Sequence, residues 1–149
     1  MVYTVLITVW RKPGMSMEAF HEHYENVHMP LIRELAGDQI PISHNRLYVS
    51  RDENFKEIMV QKATCGDGID YDAVAELNFA DKEASDTYWR ILYRPEAQGR
   101  LYEDELKFMD REKLRIVAIS NKELMIRNDF HPGTDSTETY SFLPHGKFN

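Results

Sequence analysis

The chain has 149 residues, of which 18 are basic and 25 acidic, and its formal net charge is -7 at pH 7. This length fits a single domain with its own core. The net negative charge repels phosphate backbones, and the sequence contains no basic stripe. Both observations argue against nucleic acid and anionic membranes as partners. No apolar run approaches the roughly 20 residues that span a bilayer, and the amino terminus lacks the basic region of a signal peptide, so we expect a cytoplasmic protein.

The first fifty residues predict a strand, a bent helix and a second strand. Residues 2–10 are rich in β-branched and aromatic types, which is typical of a strand. Ser16 suits the N-cap of the helix that follows, and its apolar residues recur at helical spacing as far as Gly37, with a bend at Pro30. Residues 42–50 alternate in the manner of a strand.

The second half of the chain predicts a similar order of elements. A short extended piece at 58–60 lies in a variable connection, and residues 71–79 alternate apolar and polar types as a third strand does. Asp81 caps a helix, a further helical stretch covers 96–109, and residues 114–120 form the fourth strand. The order β-α-β-β-α-β is the ferredoxin-like arrangement, an α+β fold.

This pattern divides the chain into two parts. Residues 1–122 form the ferredoxin-like domain, and residues 123–149 form a C-terminal extension without periodicity. The scattered aromatics of the extension favour packing on the domain or on a partner subunit over disorder. A four-stranded sheet with its helices on one face leaves its other face apolar and exposed, and pairing two such sheets removes that exposure. We therefore expect a homodimer.

Three histidines occur within eight residues of the first predicted helix. Histidine titrates near neutrality, so such a cluster can do proton chemistry. His21, Tyr24 and His28 are spaced by three and four residues along one side, whereas His23 lies about 200° around the helix from His21 and is expected to meet solvent. His28 is either a catalytic acid or base, or a structural histidine bonded to a backbone carbonyl.

The second strand places His44, Arg46 and Tyr48 on one face. An arginine in mid-strand is destabilising to bury alone, so Arg46 either pairs with an acidic side chain or waits for an anionic substrate. His44 is expected to share a cavity with it. Further candidates for a wall that binds an aromatic ring are Trp10, Tyr24, Tyr48 and Trp89.

The sequence lacks the usual motifs for bound cofactors. His21 and Glu25 stand four residues apart, but the second histidine of the zinc motif H-E-x-x-H is missing. The single cysteine, Cys65, provides neither a disulfide nor a thiolate cluster, and a bystander role in a turn is favoured over a catalytic thiol. Glycine-rich nucleotide loops and a serine-hydrolase elbow are also missing. We expect neither a metal nor an organic cofactor.

Three segments of the chain carry a family resemblance: 12–16 (Lys-Pro-Gly-Met-Ser), 20–31 (Phe-His-Glu-His-Tyr-Glu-Asn-Val-His-Met-Pro-Leu) and 41–48 (Pro-Ile-Ser-His-Asn-Arg-Leu-Tyr). In these segments the chain resembles the EthD-like branch of the dimeric α/β-barrel superfamily. More narrowly, it resembles small fungal EthD-like proteins of aromatic polyketide pathways, among which decarboxylases are found. The resemblance covers residues 2–51 and extends by element order to about residue 122. It implies a homodimer with one small-molecule cavity per subunit, and it places the family's histidine ahead of a proline at His28.

The activity that this resemblance implies is a cofactor-independent decarboxylation of an aromatic polyketide carboxylic acid in secondary metabolism. His28 and His44 are the expected acid and base, His21 and the aromatic wall the expected substrate contacts, and Arg46 the carboxylate clamp. The alternatives are a cofactor-free oxygenase, dehydratase or cyclase, and a non-catalytic protein that binds a hydrophobic metabolite or assists an oxidase. Convergence of both histidines and Arg46 on one cavity would favour catalysis, whereas separate bonds to backbone would favour a carrier.

Overall fold

The computed structural model describes residues 2–50, 69–123 and 125. The chain divides into a unit of residues 1–119 and a unit of residues 120–149. In the second unit, Asn121 Nδ2 donates to Glu123 Oε1 at 3.2 Å. The extended piece expected at 58–60, Cys65 and most of the C-terminal extension lie outside the described residues, and the division after residue 122 stays a prediction.

The first unit contains a β-α-β-β-α-β order in which each helical position is occupied by two consecutive helices. The elements are β1 (Tyr3–Val9), α1 (Met17–His23), α2 (Met29–Ala36), β2 (Ser43–Tyr48), β3 (Ala73–Phe79), α3 (Lys82–Leu92), α4 (Pro95–Phe108) and β4 (Arg115–Ile119). A π-helical turn, Tyr24–His28, joins α1 to α2, and a 3₁₀ turn, Gly37–Gln39, follows α2. The ferredoxin-like α+β fold predicted from the sequence is confirmed. None of the described helices is long and apolar enough to cross a membrane.

The four strands form an antiparallel sheet in the order β2-β3-β1-β4. In this register Arg46 of β2 lies opposite Ala75 of β3, and Ala75 lies opposite Ile7 of β1. Side chains alternate between faces, so His44 and Arg46 share the face of the buried alanines and leucine of β3, which the helices cover. The predicted common face of His44, Arg46 and Tyr48 is therefore the inner face.

Local capping chemistry sets several helix ends. The Ser16 side chain accepts a hydrogen bond from the Ala19 amide at 3.1 Å, and the Asp81 side chain accepts one from the Ala84 amide at 2.8 Å. These bonds satisfy amides that the first turn of a helix leaves unpaired. Gly37 ends α2 with φ of 57°, in the left-handed region that favours glycine. The N-caps predicted at Ser16 and Asp81 are confirmed.

The bend predicted at Pro30 takes the form of the π-helical turn. Pro30 has no amide hydrogen, and its ring would clash with the carbonyl of Asn26 in a regular α-helix. The Met29 amide instead bonds the carbonyl of Tyr24, five residues earlier. Because a π turn advances by a smaller angle per residue, the side chains after the turn are rotated relative to those of α1. This rotation decides which histidines reach the interior.

Two groups of buried side chains fill the layer between the sheet and the helices. One surrounds Leu77 and Tyr88. The other surrounds Phe20 and Phe108, both fully buried, and contains Tyr24. Complete burial of a side chain of this kind stabilises the fold by about 1.5–3 kcal/mol. The second group fixes the position of the π turn against α4.

Candidate functional site

A small cavity lies between the inner face of the sheet and the helices. Its volume is about 40 Å³. The lining is mostly aliphatic and aromatic, and its titratable members are His28, His44, Glu105 and the tyrosines Tyr24, Tyr88 and Tyr93. A space of this size holds a water molecule, whereas pockets for drug-sized ligands measure roughly 300–1,000 Å³. An aromatic ligand therefore needs the lining side chains to move apart.

His28 enters this cavity from the π turn and is anchored to a carboxylate. Its Nδ1 lies 2.8 Å from Asp104 Oδ2, and both side chains are buried. The ring also packs edge-on against Tyr24, at 5.3 Å between centroids, and against Phe108 at 5.0 Å. The hydrogen bond of His28 therefore goes to a side chain of α4. The structural alternative for His28 required a bond to a backbone carbonyl instead.

The second oxygen of Asp104 is occupied by His23. His23 Nε2 lies 2.8 Å from Asp104 Oδ1, and its ring stacks on Phe108 at 4.7 Å. The prediction that His23 meets solvent is wrong, since its side chain is only 18% exposed. A buried carboxylate on the facing helix gives this ring a partner that helical periodicity could not reveal. Burial by itself would raise the pKa of Asp104, but the hydrogen bonds from His28 and His23 hold that pKa below its usual value.

His44 lies in the same cavity, and its surroundings differ from those of His28. Neither of its ring nitrogens, both buried, has a hydrogen-bond partner among the described residues. Burial, and then the positive charges of Arg46 and His28, lower the pKa of His44 to about 3. The imidazole is therefore neutral at pH 7 and free to accept or donate a hydrogen bond. An unpaired buried polar group destabilises a fold, which makes such a group a candidate for function.

Arg46 is engaged by an acidic residue of the π turn. Arg46 Nε donates to Glu25 Oε1 at 2.6 Å and Nη2 donates to Glu25 Oε2 at 3.0 Å, while Nη1 donates to the His44 carbonyl at 2.6 Å. Tyr48 adds a hydrogen bond from its hydroxyl to Glu25 Oε1 at 2.6 Å. Burial opposes ionisation of Glu25, but these bonds hold the pKa of its carboxyl below the usual value. The structure thus shows the salt-bridge alternative for Arg46, and Arg46 does not line the cavity.

The remaining predicted contacts divide between the cavity and other surfaces. Tyr24 and Trp89 line the cavity. His21 is exposed and packs against Tyr48 at 4.5 Å, since it precedes the π turn and is rotated away from His28. Trp10 follows the last residue of β1 and lines a separate open depression, where its ring meets Tyr71 edge-on at 6.0 Å. The structure brings none of His21, Trp10 and Tyr48 to the cavity.

Two acidic residues of α4 belong to the site and were missed by the sequence analysis. Asp104 anchors His28, and Glu105 lines the cavity and pairs with Arg111. Both fall on the buried stripe of α4, between Leu101 and Phe108. Carboxylates at positions where the helical period demands apolar residues were the available sign of a polar partner inside.

Comparison with protein families identifies the domain. A model described as the EthD domain matches residues 12–112, which is more than half of the chain. The chain belongs to the EthD family. The matched part of this EthD domain includes α1, the π turn, β2 and α4, and so every residue of the His23, Asp104, His28 and His44 arrangement. None of the curated proteins matches the chain.

Several solved structures are similar to this chain at low sequence identity. An EthD-like protein from Ralstonia eutropha is 12% identical, with a TM-score of 0.51 over 87% of this chain and 97% of that chain. An ethyl tert-butyl ether D family protein from Bacillus halodurans is 19% identical, with a TM-score of 0.49 over 82% of this chain and 99% of that chain. A dimeric protein of unknown function with a ferredoxin-like fold, from Bacteroides fragilis, is 10% identical, with a TM-score of 0.42 over 79% and 94% of the two chains.

Proposed function

We propose that this EthD-domain protein is a cofactor-independent enzyme that decarboxylates an aromatic polyketide carboxylic acid by acid–base catalysis. The observation that carries the proposal is the presence of two different histidines in one apolar cavity. His28 is anchored on a carboxylate, and neither ring nitrogen of His44 has a partner within the described part of the chain. Proton transfer by positioned imidazoles requires no bound electron acceptor.

The surroundings of the two histidines assign them different roles. Asp104 accepts a hydrogen bond from His28 Nδ1 and so stabilises the positive charge of His28 when both of its nitrogens carry protons. His44, with its pKa lowered to about 3, stays neutral at pH 7. His28 thus has a carboxylate partner and His44 has none among the described residues, and this difference distinguishes the acid from the base. His28 is the proton donor, and His44 is the acceptor.

The proposed reaction replaces a carboxylate by a proton on an aromatic carbon. His28 Nε2 gives its proton to the ring carbon that bears the carboxylate, while His44 accepts a hydrogen bond from a neighbouring phenol. The bond between this carbon and the carboxyl group then breaks, its electron pair restores the aromatic ring, and CO2 leaves. One proton is consumed per turnover, and it returns from solvent to His28. The apolar lining favours the uncharged product by excluding water.

Recognition of the carboxylate falls to His28 in this proposal. Arg46 is held by Glu25, and no lysine or arginine occurs among the described residues that line the cavity. Glu105 contributes a negative charge to the lining, but its pairing with Arg111 offsets that charge. A protonated His28 is then the cation that a substrate carboxylate meets.

A second candidate is a non-catalytic protein that binds a hydrophobic metabolite or assists an oxidase. The engagement of Arg46 by Glu25 favours it, because a binding protein for neutral aromatics needs no free arginine. Cofactor-free oxygenation, dehydration or cyclisation of a polyketide would use the same two histidines. These alternatives differ from decarboxylation in the mass of the product.

We also propose that the protein acts as a homodimer. Leu47 and Val117, which lie on the face of the sheet opposite to the helices, are 57% and 56% exposed. Large apolar side chains on a sheet face indicate a surface that another sheet covers. Sedimentation equilibrium tests this proposal, and a monomer at the concentrations used for activity assays would contradict it.

The reaction is tested with hydroxylated anthrone and anthraquinone carboxylic acids that carry ¹³C in the carboxyl group. The purified protein is incubated with each acid and a strong chelator, and released ¹³CO2 and product mass are measured. We expect ¹³CO2 from at least one acid, loss of most release in His28→Asn, and unchanged release in Arg100→Gln, a surface control. Binding of these acids without ¹³CO2 would support the binding protein instead. Restoration of activity only by added metal would require Lewis-acid chemistry.

A further inference from the structure

We infer that Asp104, held in place by His23, is a positioning residue that fixes the tautomer and direction of the His28 imidazole. The inference concerns the same site as the proposed function and rests on that function only for its kinetic consequence. The tautomer of His28 is defined by the nitrogen that carries its hydrogen, and this hydrogen is observable in the protein without any substrate.

Each oxygen of the Asp104 carboxylate faces one imidazole nitrogen. Oδ2 lies 2.8 Å from His28 Nδ1, and Oδ1 lies 2.8 Å from His23 Nε2. The hydrogen bonds hold the pKa of Asp104 below its usual value, so the group is ionised at pH 7. An ionised carboxylate only accepts hydrogen bonds, and both facing nitrogens must therefore carry hydrogens.

The tautomer of His28 follows from the ionised state of Asp104. When His28 is neutral, its single hydrogen is on Nδ1, and Nε2 has a free lone pair. The ring is held by Tyr24 and Phe108, with centroids at 5.3 and 5.0 Å. With Nδ1 fixed on Asp104, Nε2 is the nitrogen left to exchange a proton with a molecule in the cavity that His28 lines.

His23 explains why the carboxylate keeps this orientation. It is part of α1, whereas Asp104 is on α4 and His28 ends the π turn, so the three side chains join three structural elements. The His23 ring lies nearly parallel to Phe108, with an interplanar angle of 24°. If Asp104 served only to join α4 to His23 and His28, its replacement would lower stability and leave the tautomer of His28 unchanged. A positioning role predicts effects on the imidazole of His28 itself.

Asp104→Asn is the informative substitution, because it preserves shape and exchanges one acceptor oxygen for a donor NH2 group. The amide can satisfy His28 or His23 with its oxygen, but not both. His23→Phe is the matched variant, since it retains the ring against Phe108 and leaves both oxygens of Asp104 available. Circular dichroism and urea unfolding first establish that each variant is folded.

The experiment measures ¹⁵N shifts of the imidazole nitrogens by long-range ¹H–¹⁵N correlation, at a pH where His28 is neutral. We expect hydrogen on Nδ1 of His28 in the wild-type protein and in His23→Phe, and loss of this uniform state in Asp104→Asn. Hydrogen on Nε2 in the wild-type protein would overturn the inference, and this result does not depend on whether any variant folds. The same Nδ1 tautomer in wild type and in folded Asp104→Asn would also overturn it.

With an active substrate, the kinetic constants provide a second readout. Asp104→Asn should lower kcat by up to about 10⁴-fold, the effect seen when a carboxylate that orients a catalytic imidazole is neutralised, with a much smaller change in KM. Equal kcat values in wild type and folded Asp104→Asn would overturn the positioning role. The expected tautomer in a protein that releases no CO2 would contradict the proposed reaction alone.

Discussion

Arg46 and Glu25 form a bidentate pair, with hydrogen bonds of 2.6 and 3.0 Å from two guanidinium nitrogens to the two carboxylate oxygens. The side chains are 22% and 27% exposed, so solvent screens the pair only in part. Tyr48 donates a third hydrogen bond to the same carboxylate. Such fork geometry is the strong form of an ion pair, and its energy depends on keeping both partners.

Replacement of Arg46 by glutamine should therefore destabilise the fold. Arg46→Gln leaves the partly buried Glu25 carboxylate with fewer donors, and we expect the free energy of unfolding to fall by about 1–2 kcal/mol. Arg100→Gln is the control, because Arg100 makes a similar bidentate pair with Glu34 on the surface, at 53% and 62% exposure. Exposed pairs contribute little. Urea unfolding of the two variants checks the difference, and equal losses of stability would show that burial of the Arg46 pair is unimportant.

The same variant reports on carboxylate recognition. Because Glu25 occupies the guanidinium, Arg46→Gln should change the affinity for a carboxylic acid substrate and for its decarboxylated product by the same factor. Titration calorimetry with both ligands measures the two factors. A selective loss of affinity for the acid would show that Arg46 leaves Glu25 to grip the substrate, as the sequence alone allowed.

His44 should make the stability of the protein depend on pH. Its pKa is lowered to about 3 in the fold, chiefly by burial, against about 6.5 in the unfolded chain. The unfolded state thus binds a proton that the native state does not, and stability is full above about pH 6.5 and falls as the pH is lowered, by about 1.4 kcal/mol per unit. Burial of an unpaired imidazole is also unfavourable in itself.

His44→Phe removes both effects while it keeps a flat ring on β2. We expect the variant to be at least as stable as wild type near neutral pH, and more stable by a growing margin between about pH 6.5 and pH 5. Urea unfolding at several pH values within this window measures the margin. Parallel pH profiles for the two proteins would mean that His44 is solvated or paired in the fold.

The two tryptophans should respond differently to a ligand. Trp89 lines the cavity with His28 and His44, whereas Trp10 lines a separate depression. An aromatic ligand in the cavity should quench the fluorescence of Trp89 and leave that of Trp10 unchanged. Titrations of Trp10→Phe and Trp89→Phe isolate one indole each. Quenching that persists in Trp89→Phe would place the ligand elsewhere.

The fold was predictable from local sequence patterns. Ser16 and Asp81 could be assigned as N-caps because a capping side chain bonds an amide three residues away, and that chemistry needs no tertiary information. β1 was found from its β-branched and aromatic residues and β3 from alternation, although the predicted ends extended one or two residues beyond Tyr3–Val9 and Ala73–Phe79. Strand ends are set by pairing across the sheet, which one strand's sequence does not contain.

The site was predictable only in part, for the same physical reason. His28 and His44 stood out because titratable side chains interrupted apolar patterns. Asp104 is 76 residues from His28 in the sequence, and no local spacing joins the two. Pro30 predicted a bend but not a π turn, so the rotation that turns His21 outward could not be foreseen. The partner of Arg46 remained open, since its acidic neighbour Glu25 belongs to a different element.

The central claim is that His28 and His44 act as one acid–base unit, and it is tested most directly by the rate of CO2 release at saturating substrate. The rate is measured for wild type, His28→Asn, His44→Phe and the double variant, each shown to be folded and to sediment as wild type does. We expect each single substitution to lower the rate by roughly 10²–10⁴-fold. The double variant should lose little more, because residues that act as a unit are not additive. Rates near wild type in both folded single variants would contradict the claim and leave a binding protein.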